Sequence, residues 1–348
     1  MKADVRPTVR RRGLIFTALS IVCTVTAVVY VTWVGQRDMP PAATTTRAAV
    51  SVAISNGSKP FNGPRILFRS TTRDTNFGSV ALVPLDAPAE ALAITALRCE
   101  RVYFAAGQGL CLTANRKMVT SYSAMTFGAD FRPRHTFQVS GIPSRTRVSP
   151  DGRYAAYTVF LTGHSYAVGN FTTRTVLIDM ANDREITDLE QFEVWRDGKI
   201  THAPDFNFWG VTFAKDSKRF YATLATSGTP YLVEGNIASR TARVLYKHVE
   251  CPSLSPDNTH IAFKRWTDRG WRLHVLDLTT MTDTPLIAES RSVDDQVEWL
   301  DDRHILYTPM VDAPTGENVW MLATDGSEPP RLFLPQAYSP VVIHERGR

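Results

Sequence analysis

One short phrase of sequence recurs along most of this chain and limits what the chain can fold into. At Ser144–Phe160 it reads as a strand, a tight turn over Ser149-Pro150-Asp151-Gly152, and a second strand. Proline presets its own φ, aspartate bonds the backbone ahead of it, and glycine adopts the left-handed conformation that such a turn requires. The phrase returns in modified form at Phe213–Leu224, Leu254–Arg265 and Trp299–Pro309. A hairpin that recurs at a fairly regular period indicates a repeat architecture.

The period and the number of strands per repeat indicate which architecture this is. When the units are aligned on the aspartate of the turn, Asp216 and Asp257 are 41 residues apart, and Asp257 and Asp302 are 45 apart. Asp151 and Asp216 are 65 residues apart, so one unit carries an insertion. Each unit continues with a third strand, which ends at an acidic or turn residue, and a fourth strand-like run. Four strands in a repeat of about 40–50 residues are typical of a β-propeller blade.

Two fragments at the ends of the repeat region make a sixth blade. A degenerate unit begins at Cys99, which gives five units up to Pro335. Tyr338–Ile343 then reads as a lone first strand, and Arg65–Ile94 supplies three further strands. A ring of blades must close or leave exposed sheet edges. The sequence therefore predicts an all-β fold with a six-bladed β-propeller over residues 65–343, closed by its N- and C-terminal segments.

The SPDG-type hairpins, followed by an apolar strand that ends in Leu-Asp, resemble the repeats of the TolB-like family of six-bladed propellers. The resemblance covers almost all of residues 65–343 and implies the propeller fold with a bias towards protein contacts. The propeller of prolyl-oligopeptidase-type enzymes carries the same repeat, but this sequence contains no G-x-S-x-G nucleophile motif. It also has no counterpart of the α/β domain that precedes the propeller in TolB, so a Tol–Pal role is not expected.

The N-terminal residues predict a membrane anchor. Residues 1–12 form a basic tail, and the next 22 residues, 13–34, contain no Asp, Glu, Lys, Arg or His. A helix of that length spans about 33 Å, enough for a bilayer core of about 30 Å. The basic tail predicts a cytoplasmic N-terminus, so residues 35–64 would form a tether and the propeller would lie outside the plasma membrane, followed by a short tail at 344–348. A cleaved signal peptide is the alternative.

The charge of the chain does not indicate a nucleic-acid partner. Much of the formal charge of +5 comes from Lys2, Arg6 and the three arginines at positions 10–12. The remainder is close to neutral, and nucleic-acid binding requires a basic face on the folded domain. We therefore expect no nucleic-acid partner.

The sequence contains no recognisable catalytic or cofactor-binding motif. Its eight histidines are scattered, without an H-E-x-x-H or another paired metal spacing. It has neither a P-loop nor a dinucleotide-binding fingerprint. The sequence therefore predicts no cofactor and no resident metal, and it favours a protein that is not an enzyme.

Cys99 and Cys111 flank the first hairpin of blade one and are candidates for a disulfide bond. If this hairpin has the register of the SPDG turns, Glu100 faces Cys111 and the two thiols are diagonal neighbours. An extracytoplasmic location would permit the bond, whereas a register different by one residue would leave two buried thiols. Cys251 is expected to be unpaired and buried at the start of blade four.

Polar residues near the start of each innermost strand are candidates for a site, because these positions surround the channel of a propeller. The candidates are Glu100, Arg145, Arg147, Asp205, Asn207, Glu250, Asp294, Asp295 and Glu298. Lactonase-like propellers hold a divalent cation there with Glu, Asn and Asp side chains, and Asn207, Glu250 and Asp294 could imitate that arrangement around calcium. The alternative is a polar, water-filled channel in which Arg145 and Arg147 balance the acidic charges.

The insertion between blades two and three is dense in aromatic residues. Its Asp197-Gly198 pair lies between two β-type runs and predicts a hairpin. An aromatic cluster with a charged rim is typical of an interface hot spot, and the interaction candidates are Trp195, Arg196, Asp197, Phe206 and Trp209. The alternative is that the rings form a small core of their own, with Phe208 and Trp209 buried and Trp195 exposed.

These features together favour a membrane-anchored, non-catalytic module of the cell envelope that binds a protein or peptide through one propeller face and the hairpin. The first alternative is a calcium-dependent hydrolase or lactonase with its site at the mouth of the channel. The second is a sensor of a small ligand such as a glycan fragment.

Overall fold

The computed structural model describes residues 7–35, 51–53, 63–89, 92–116, 118–167, 171–310 and 316–344. In these residues the chain forms one α-helix, α1 (Pro7–Gly35), one short 3₁₀-helix, Leu189–Gln191, and 27 β-strands. The helix and the strands belong to two separate compact units, divided between residues 46 and 47. The first half of the predicted basic tail, most of the predicted tether and residues 345–348 lie outside the described residues.

Helix α1 covers the segment for which the sequence predicts a membrane helix. The side chains of residues 14–29 are exposed. The hydroxyl of Thr24 donates a hydrogen bond to the carbonyl of Ser20 at 2.8 Å, so this polar side chain is satisfied within the helix itself. Among the described residues, no helix is both long enough and apolar enough to cross a bilayer. The predicted membrane helix at 13–34 is therefore not supported.

The strands follow one another blade by blade along the chain. Most of blade six consists of β1 (Ser51–Ala53), β2 (Arg65–Ser70), β3 (Ser79–Pro84) and β4 (Leu92–Arg98). Blade one consists of β5 (Arg101–Ala105), β6 (Gln108–Arg116), β7 (Thr120–Gly128) and β8 (Pro133–Val139). Blade two consists of β9 (Ile142–Val148), β10 (Tyr154–Thr162), β11 (Thr172–Asp179) and β12 (Arg184–Asp188).

The insertion and the remaining blades complete the circle. The insertion contributes β13 (Glu193–Arg196) and β14 (Lys199–Thr201). Blade three consists of β15 (Asn207–Phe213), β16 (Arg219–Thr226), β17 (Thr229–Asn236) and β18 (Thr241–Lys247). Blade four consists of β19 (Glu250–Leu254), β20 (His260–Thr267), β21 (Gly270–Asp277) and β22 (Asp283–Pro285). Blade five consists of β23 (Glu298–Trp299), β24 (His304–Tyr307), β25 (Val319–Ala323) and β26 (Arg331–Leu334), and β27 (Ala337–Ile343) returns to blade six.

The last strand of the chain closes the ring. β27 pairs antiparallel with β2, so that Arg65 lies opposite Ile343. The innermost strands of neighbouring blades contact one another in an unbroken circle, β27–β5–β9–β15–β19–β23–β27. Both ends of the propeller therefore belong to one sheet, and opening the ring would require breaking backbone hydrogen bonds. The all-β, six-bladed propeller that the sequence predicts is confirmed.

In blades two to five, an aspartate side chain organises the turn that joins the first and second strands. In blade two, the Asp151 carboxylate accepts hydrogen bonds from the Ser149 hydroxyl at 2.6 Å and from the Arg153 N–H at 2.9 Å. In blade five, Asp301 takes this role and accepts from the two N–H groups at positions 303 and 304, both at 2.8 Å. The alignment of the repeats on Asp302 is therefore wrong by one residue.

Apolar clusters between neighbouring blades form the core of the propeller. Each of the six interfaces between blades encloses one such cluster. Between blades two and three, the Phe192 ring meets the Phe220 ring edge-on, with 5.5 Å between centroids. Because both faces of each blade are covered, second strands such as β10 and β16 are buried along most of their length rather than at alternate positions.

The insertion extends blade three to six strands. β13 pairs parallel with β18, with Val194 opposite Ala242, and β14 lies outside it. The turn between β13 and β14 has φ of 51° at Asp197 and 74° at Gly198, the two left-handed residues that a type I′ hairpin requires. The predicted hairpin is present, and it lies along the outer edge of its blade.

Candidate functional site

The two ends of the central channel differ in their chemistry. We call the end at which the innermost strands begin the entry end, and the end at which they finish, beside the recurring turns, the exit end. The entry end is packed with buried charged and aromatic side chains. The exit end opens into a cavity of about 800 Å³. Most of the polar site residues predicted from the sequence lie at the entry end, whereas the cavity of about 800 Å³ lies at the exit end.

Lys264 is a buried cation of the entry end. It is fully buried on β20, and its ammonium is 4.0 Å from the centroid of the Trp271 ring and 4.3 Å from that of Tyr166. The ammonium also donates a hydrogen bond to the carboxylate of Asp294. Two aromatic faces and a carboxylate thus compensate the positive charge of Lys264. Without these partners, a buried lysine would be strongly destabilising.

Asp294 joins Lys264 to a second buried cation. An Nη atom of Arg145 donates to the side chain of Asp294 at 3.4 Å and to its backbone carbonyl at 3.1 Å. Burial alone would raise the pKa of Asp294, but the positive charges of Lys264 and Arg145 hold it below its ordinary value. The negative charge of Asp294 is therefore neutralised within the protein.

Glu250 is the buried carboxyl of the entry end whose pKa lies near neutrality. It is buried and lies opposite Lys264 in the β19–β20 pair, but no ion pair joins the two side chains. Burial raises the pKa of Glu250 to about 7; Lys264 opposes this rise and Asp294 adds to it. The Glu250 carboxyl should therefore change its charge near neutral pH.

A second buried ion pair lies further along the channel. Arg147 donates to the Glu298 carboxylate at 2.8 Å. Its other terminal nitrogen donates to the carbonyl of Val297 at 2.6 Å and to the hydroxyl of Ser253 at 3.1 Å. The Tyr103 hydroxyl lies 3.2 Å from both oxygens of Glu298, and burial raises the pKa of Glu298 while Arg147 opposes that rise. This network ties together blades one, two, four and five.

The cavity at the exit end, which we call the exit mouth, lies directly above this ion pair. Its lining includes Tyr103, Phe104, Ala129, Arg147, Val148, Phe213, Lys215, Leu254, Asn258, Glu298, Trp299, Ile343 and His344. Polar and apolar surface contribute equally to this lining, with the Arg147–Glu298 pair in it and with Lys215 and His344 exposed. Such a pocket can take up apolar side chains and orient the polar groups of a ligand.

Two of the three residues that suggested a calcium site are engaged in other contacts. The side-chain oxygen of Asn207 accepts from the N–H and the hydroxyl of Thr173, at 2.9 and 2.6 Å, and so ties β15 to β11. Asp294 is paired with two cations, and only Glu250 lacks such a partner. Among the described residues, no group of three or more His, Cys, Asp or Glu could hold a metal ion. These residues do not fit a calcium ion, and the channel charges are balanced by Arg145, Arg147 and Lys264.

Of the three remaining acidic candidates, Glu100 pairs with Arg116 at 2.7 Å and with Arg69 at 3.6 Å, and the other two brace loops. Asp295 accepts from the N–H groups of Gln296 at 2.9 Å and Thr308 at 3.2 Å. Asp205 accepts from the Thr226 hydroxyl at 2.7 Å and from the N–H at position 227 at 2.6 Å. Both carboxylates therefore organise the backbone around the entry end.

The aromatic residues of the insertion do not form one exposed cluster. Trp209 is buried 5.5 Å from the ring of Tyr166, and Phe206 packs against the core between blades two and three. Trp209 is therefore not available to a partner, and the prediction that it forms part of a binding surface is wrong. Phe206 is only partly exposed. Phe208 is also buried, as the alternative from the sequence expected.

Trp195, Arg196 and Asp197 lie at the surface. Trp195 is 37% exposed, and its indole N–H donates to the Glu193 carboxylate at 2.6 Å. The guanidinium of Arg196 lies 4.6 Å from the centroid of the Tyr231 ring. Trp195 and Asp197 line a shallow groove of about 550 Å³ along the outer strands of blade three. This groove is a further concave surface of the propeller.

Cys99 and Cys111 form a disulfide bond, with 5.5 Å between their Cα atoms. The register that suggested it is wrong, because Val102, not Glu100, faces Cys111. The hairpin turn contains only Ala106 and Gly107, both with positive φ, so the pairing is shifted by two residues. Cys251 is buried and free, as expected.

Replacing Cys99 and Cys111 together by serine should lower the free energy of unfolding by about 2–3 kcal/mol, since the bond closes a short loop in the unfolded chain. Denaturant unfolding of the double variant and of the wild type measures the difference. Wild-type protein with its disulfide reduced should match the double variant. A loss below about 1 kcal/mol would mean that the bond constrains little of the unfolded chain.

Sequence reasoning missed Lys264 and Tyr166 at the entry end and Tyr103 in the second network. Lys264 interrupts the apolar run of its strand, which is the signal that could have found it. Tyr166 lies in a loop, and Tyr103 lies in a short strand whose other residues are mostly apolar. Nothing in their local sequence indicates that they meet charged partners from distant blades.

The architecture was compared with that of known proteins. TolB from Acinetobacter baumannii has the same fold at a TM-score of 0.57 and 14% identity, over 81% of this chain and 67% of that one. The fold is that of a TolB-like six-bladed propeller. A chain of the nidogen/laminin complex matches this TolB-like propeller at a TM-score of 0.53 and 12% identity, over 80% of this chain and 98% of that one. At such identities the similarity establishes the fold alone.

Comparisons of the amino-acid sequence with protein families and with curated proteins found no match. No protein-family model matches the chain, and no curated protein is significantly similar to it. The function of this TolB-like propeller therefore has to be argued from its own surfaces.

Proposed function

We propose that this protein is a non-catalytic binding module of the cell envelope, which holds a peptide segment of a partner protein in the exit mouth. The observation that carries the proposal is the exit mouth itself, a cavity of about 800 Å³ at the end of the channel. Its volume lies in the range of pockets that enclose a ligand of a few residues. Its walls of Phe213, Leu254 and Trp299 suit an apolar side chain of that segment.

The charges around the exit mouth favour a segment that is also acidic. Lys215 is exposed at the rim and makes no ion pair in the described part of the chain, and His344 is exposed beside it. The floor contributes no net charge, because Arg147 is paired with Glu298 at 2.8 Å. An acidic residue next to the inserted apolar side chain would meet Lys215 at the edge of the pocket, where a charge contact mainly sets specificity and rate of association.

A binding role suits these groups better than catalysis. A general acid or base must be free to exchange a proton with a substrate. Glu298 instead contacts Arg147, Tyr103 and the N–H of Val342, at 2.8, 3.2 and 3.3 Å. A carboxylate held by three donors is a rigid support for the pocket rather than a reacting group.

The disulfide supports a location outside the cytoplasm. Disulfides persist in oxidising compartments and are rare in the cytosol. The Cys99–Cys111 bond therefore favours the periplasm or the outer cell surface over the cytoplasm. That the fold is compatible with protein binding is supported by the nidogen/laminin complex, in which a chain with this fold is present together with a protein partner.

Selection of a phage-displayed library of short random peptides on the full-length protein tests the proposal. We expect enriched peptides to combine an apolar or aromatic residue with an adjacent Asp or Glu. Binding should fall about tenfold in Lys215→Glu and in Ala129→Arg, which places a long side chain at the exposed rim, because both change the pocket and leave its core intact.

Trp195→Ala is the matched control, since it alters the groove of blade three and not the exit mouth. Equal melting temperatures establish that all three variants are folded. Binding that is lost in Trp195→Ala and kept in Lys215→Glu would place the site at the hairpin. A library that yields no specific peptide would refute the proposal.

A further inference from the structure

The shallow groove of blade three lies on one face of its sheet. Trp195 of β13 is opposite Arg243 of β18, and Arg243 is opposite Glu234 of β17. A second row on the same face pairs Asn236 of β17 with Arg219 of β16. Residues opposite one another in neighbouring strands project from the same face of a sheet. The groove is therefore lined by two rows of side chains, and among its described lining residues only Trp195 is aromatic.

The indole ring of Trp195 is held in place by its neighbours. Its N–H donates to the carboxylate of Glu193, two residues earlier on the same strand, at 2.6 Å. On the other face of the sheet, Val194 is opposite Ala242, and both belong to the apolar core between blades two and three. The strand that carries Trp195 is thus anchored by buried side chains, while the ring itself is 37% exposed at the groove. Such a ring is a preorganised platform for a ligand.

The charges in the lining of the groove cancel. The lining contains two carboxylates, of Asp197 and Glu234, and two guanidinium groups, of Arg219 and Arg243. The Glu234 carboxylate lies 3.6 Å from the guanidinium of Arg219 and 3.8 Å from that of Arg243. An anionic ligand would compete with Glu234 for both arginines, and a cationic ligand would compete with the arginines for Glu234. The groove therefore favours a ligand without charge.

The polar groups of the groove offer both donors and acceptors of hydrogen bonds. The side-chain oxygen of Asn236 accepts from the N–H groups at positions 238 and 239, at 3.0 and 3.1 Å, which fixes the side chain. Its amide nitrogen donates to no group in the described part of the chain. Glu234 supplies carboxylate oxygens beside it, and Arg243 supplies exposed N–H groups. A hydroxyl group both donates and accepts, so hydroxyl groups suit this mixture.

We propose that this groove is a second binding site of the protein, for a short neutral oligosaccharide with β-linked sugar rings of the glucose configuration. In such a ring the hydroxyl groups are equatorial, so each face presents C–H groups that can stack on the indole of Trp195. The equatorial hydroxyl groups are then available to Asn236, Glu234 and Arg243. The volume of about 550 Å³ lies in the range of small-ligand sites.

The position of the groove makes a peptide strand a less suitable occupant. A peptide strand adds to the open edge of a sheet through its backbone. The groove lies on the face of the sheet instead, and the outer edge of β18 is already paired with β13. The site is also separate from the exit mouth, so the proposal is independent of what the exit mouth binds.

Isothermal titration calorimetry of the full-length protein with cellotriose and with triacetylchitotriose tests the proposal. We expect both neutral trisaccharides to bind. Cellotriose oxidised to its uronic acid keeps the shape of the rings but carries carboxylates, and it should bind about tenfold more weakly or worse, because Glu234 already neutralises the arginines. Trp195→Ala should weaken the binding of both neutral sugars about tenfold or more, whereas Trp195→Phe should keep most of it, since an aromatic face remains.

Two control variants separate the groove from other surfaces. Trp266→Ala removes an indole that is 53% exposed on blade four, and Lys215→Glu alters the exit mouth; both should leave the affinity for the sugars unchanged. Equal melting temperatures establish that all variants are folded. The proposal is overturned if neither trisaccharide binds, or if Trp195→Ala binds them as tightly as the wild type, because the sugar would then lie elsewhere. Tighter binding of the oxidised cellotriose would overturn it as well, since the groove would then be a site for anions.

Discussion

Glu298→Gln should lower the free energy of unfolding by about 3–5 kcal/mol, because it leaves the Arg147 guanidinium buried without its counter-charge. Both side chains of this pair are more than nine-tenths buried, and the ion-pair distance is 2.8 Å. The same substitution weakens the hydrogen bond from Tyr103. Urea unfolding at pH 7, followed by intrinsic fluorescence, measures the loss.

An exposed ion pair provides the matched control. Arg303 and Asp325 are 2.7 Å apart at the surface, so Asp325→Asn should leave the unfolding midpoint almost unchanged. The double variant Arg147→Met with Glu298→Leu should recover much of the loss, because it removes both buried charges at once. A single Glu298→Gln variant as stable as the wild type would mean that the pair contributes nothing to holding the blades together.

Glu250→Gln should raise the stability of the protein at pH 8 and leave it nearly unchanged at pH 5. The pKa of Glu250 is raised to about 7 in the folded state, chiefly by burial. Between its unfolded pKa and about 7, the folded state keeps a proton that the unfolded state has lost, so stability falls as the pH rises through this window. A shift of this size corresponds to about 3 kcal/mol at pH 8, and glutamine removes that cost.

Thermal unfolding of both proteins from pH 4 to pH 9 measures the effect. Glu328→Gln, at an exposed position, removes one negative charge without changing the channel and controls for net charge. The two curves should converge at low pH and separate above neutrality. Parallel curves would mean that Glu250 is ionised in the folded state throughout, held by Lys264.

The same variant tests the alternative of a calcium-dependent enzyme. If Glu250 were a calcium ligand, added calcium would stabilise the wild type, and Glu250→Gln would abolish that stabilisation. The arrangement at the entry end leads us to expect no such dependence, because Asp294 is already neutralised by Lys264 and Arg145. Melting with and without calcium distinguishes the two outcomes.

The buried ion pairs also explain why the channel suits a binding module. Arg147 reaches from blade two to Glu298 in blade five, and Arg145 reaches from blade two to Asp294 in the loop before blade five. These contacts cross the axis and fix the innermost strands relative to one another. A pocket built on such a support is preorganised, so less binding free energy is spent on ordering it.

The sequence by itself determined the architecture, and the reason is that the architecture depends on local interactions. Each SPDG-type turn is made by residues within five positions of one another, such as Ser149, Asp151 and Arg153. Apolar runs of the right length between such turns are sufficient to define strands and their order. The number of blades and the closure by β27 follow from counting these units.

Local patterns also gave the hairpin of the insertion, but not the environment of its residues. The Asp197-Gly198 turn is present where it was predicted. Trp209, twelve residues further on, is buried because the start of blade three brings it against Tyr166 of blade two. The sequence around an aromatic residue does not indicate which distant residue will pack against it and bury it.

Only the tertiary structure decided which polar residues of the channel are available to a ligand. Asn207 and Asp294 lie at the entry end, where side chains from other blades already contact them: Thr173, Lys264 and Arg145. These contacts join residues up to about half the chain apart, and their formation depends on the radius and register of the closed ring. Electrostatic neutralisation, burial and the opening of the exit mouth are properties of that ring as a whole, and so no single blade of the sequence specifies them.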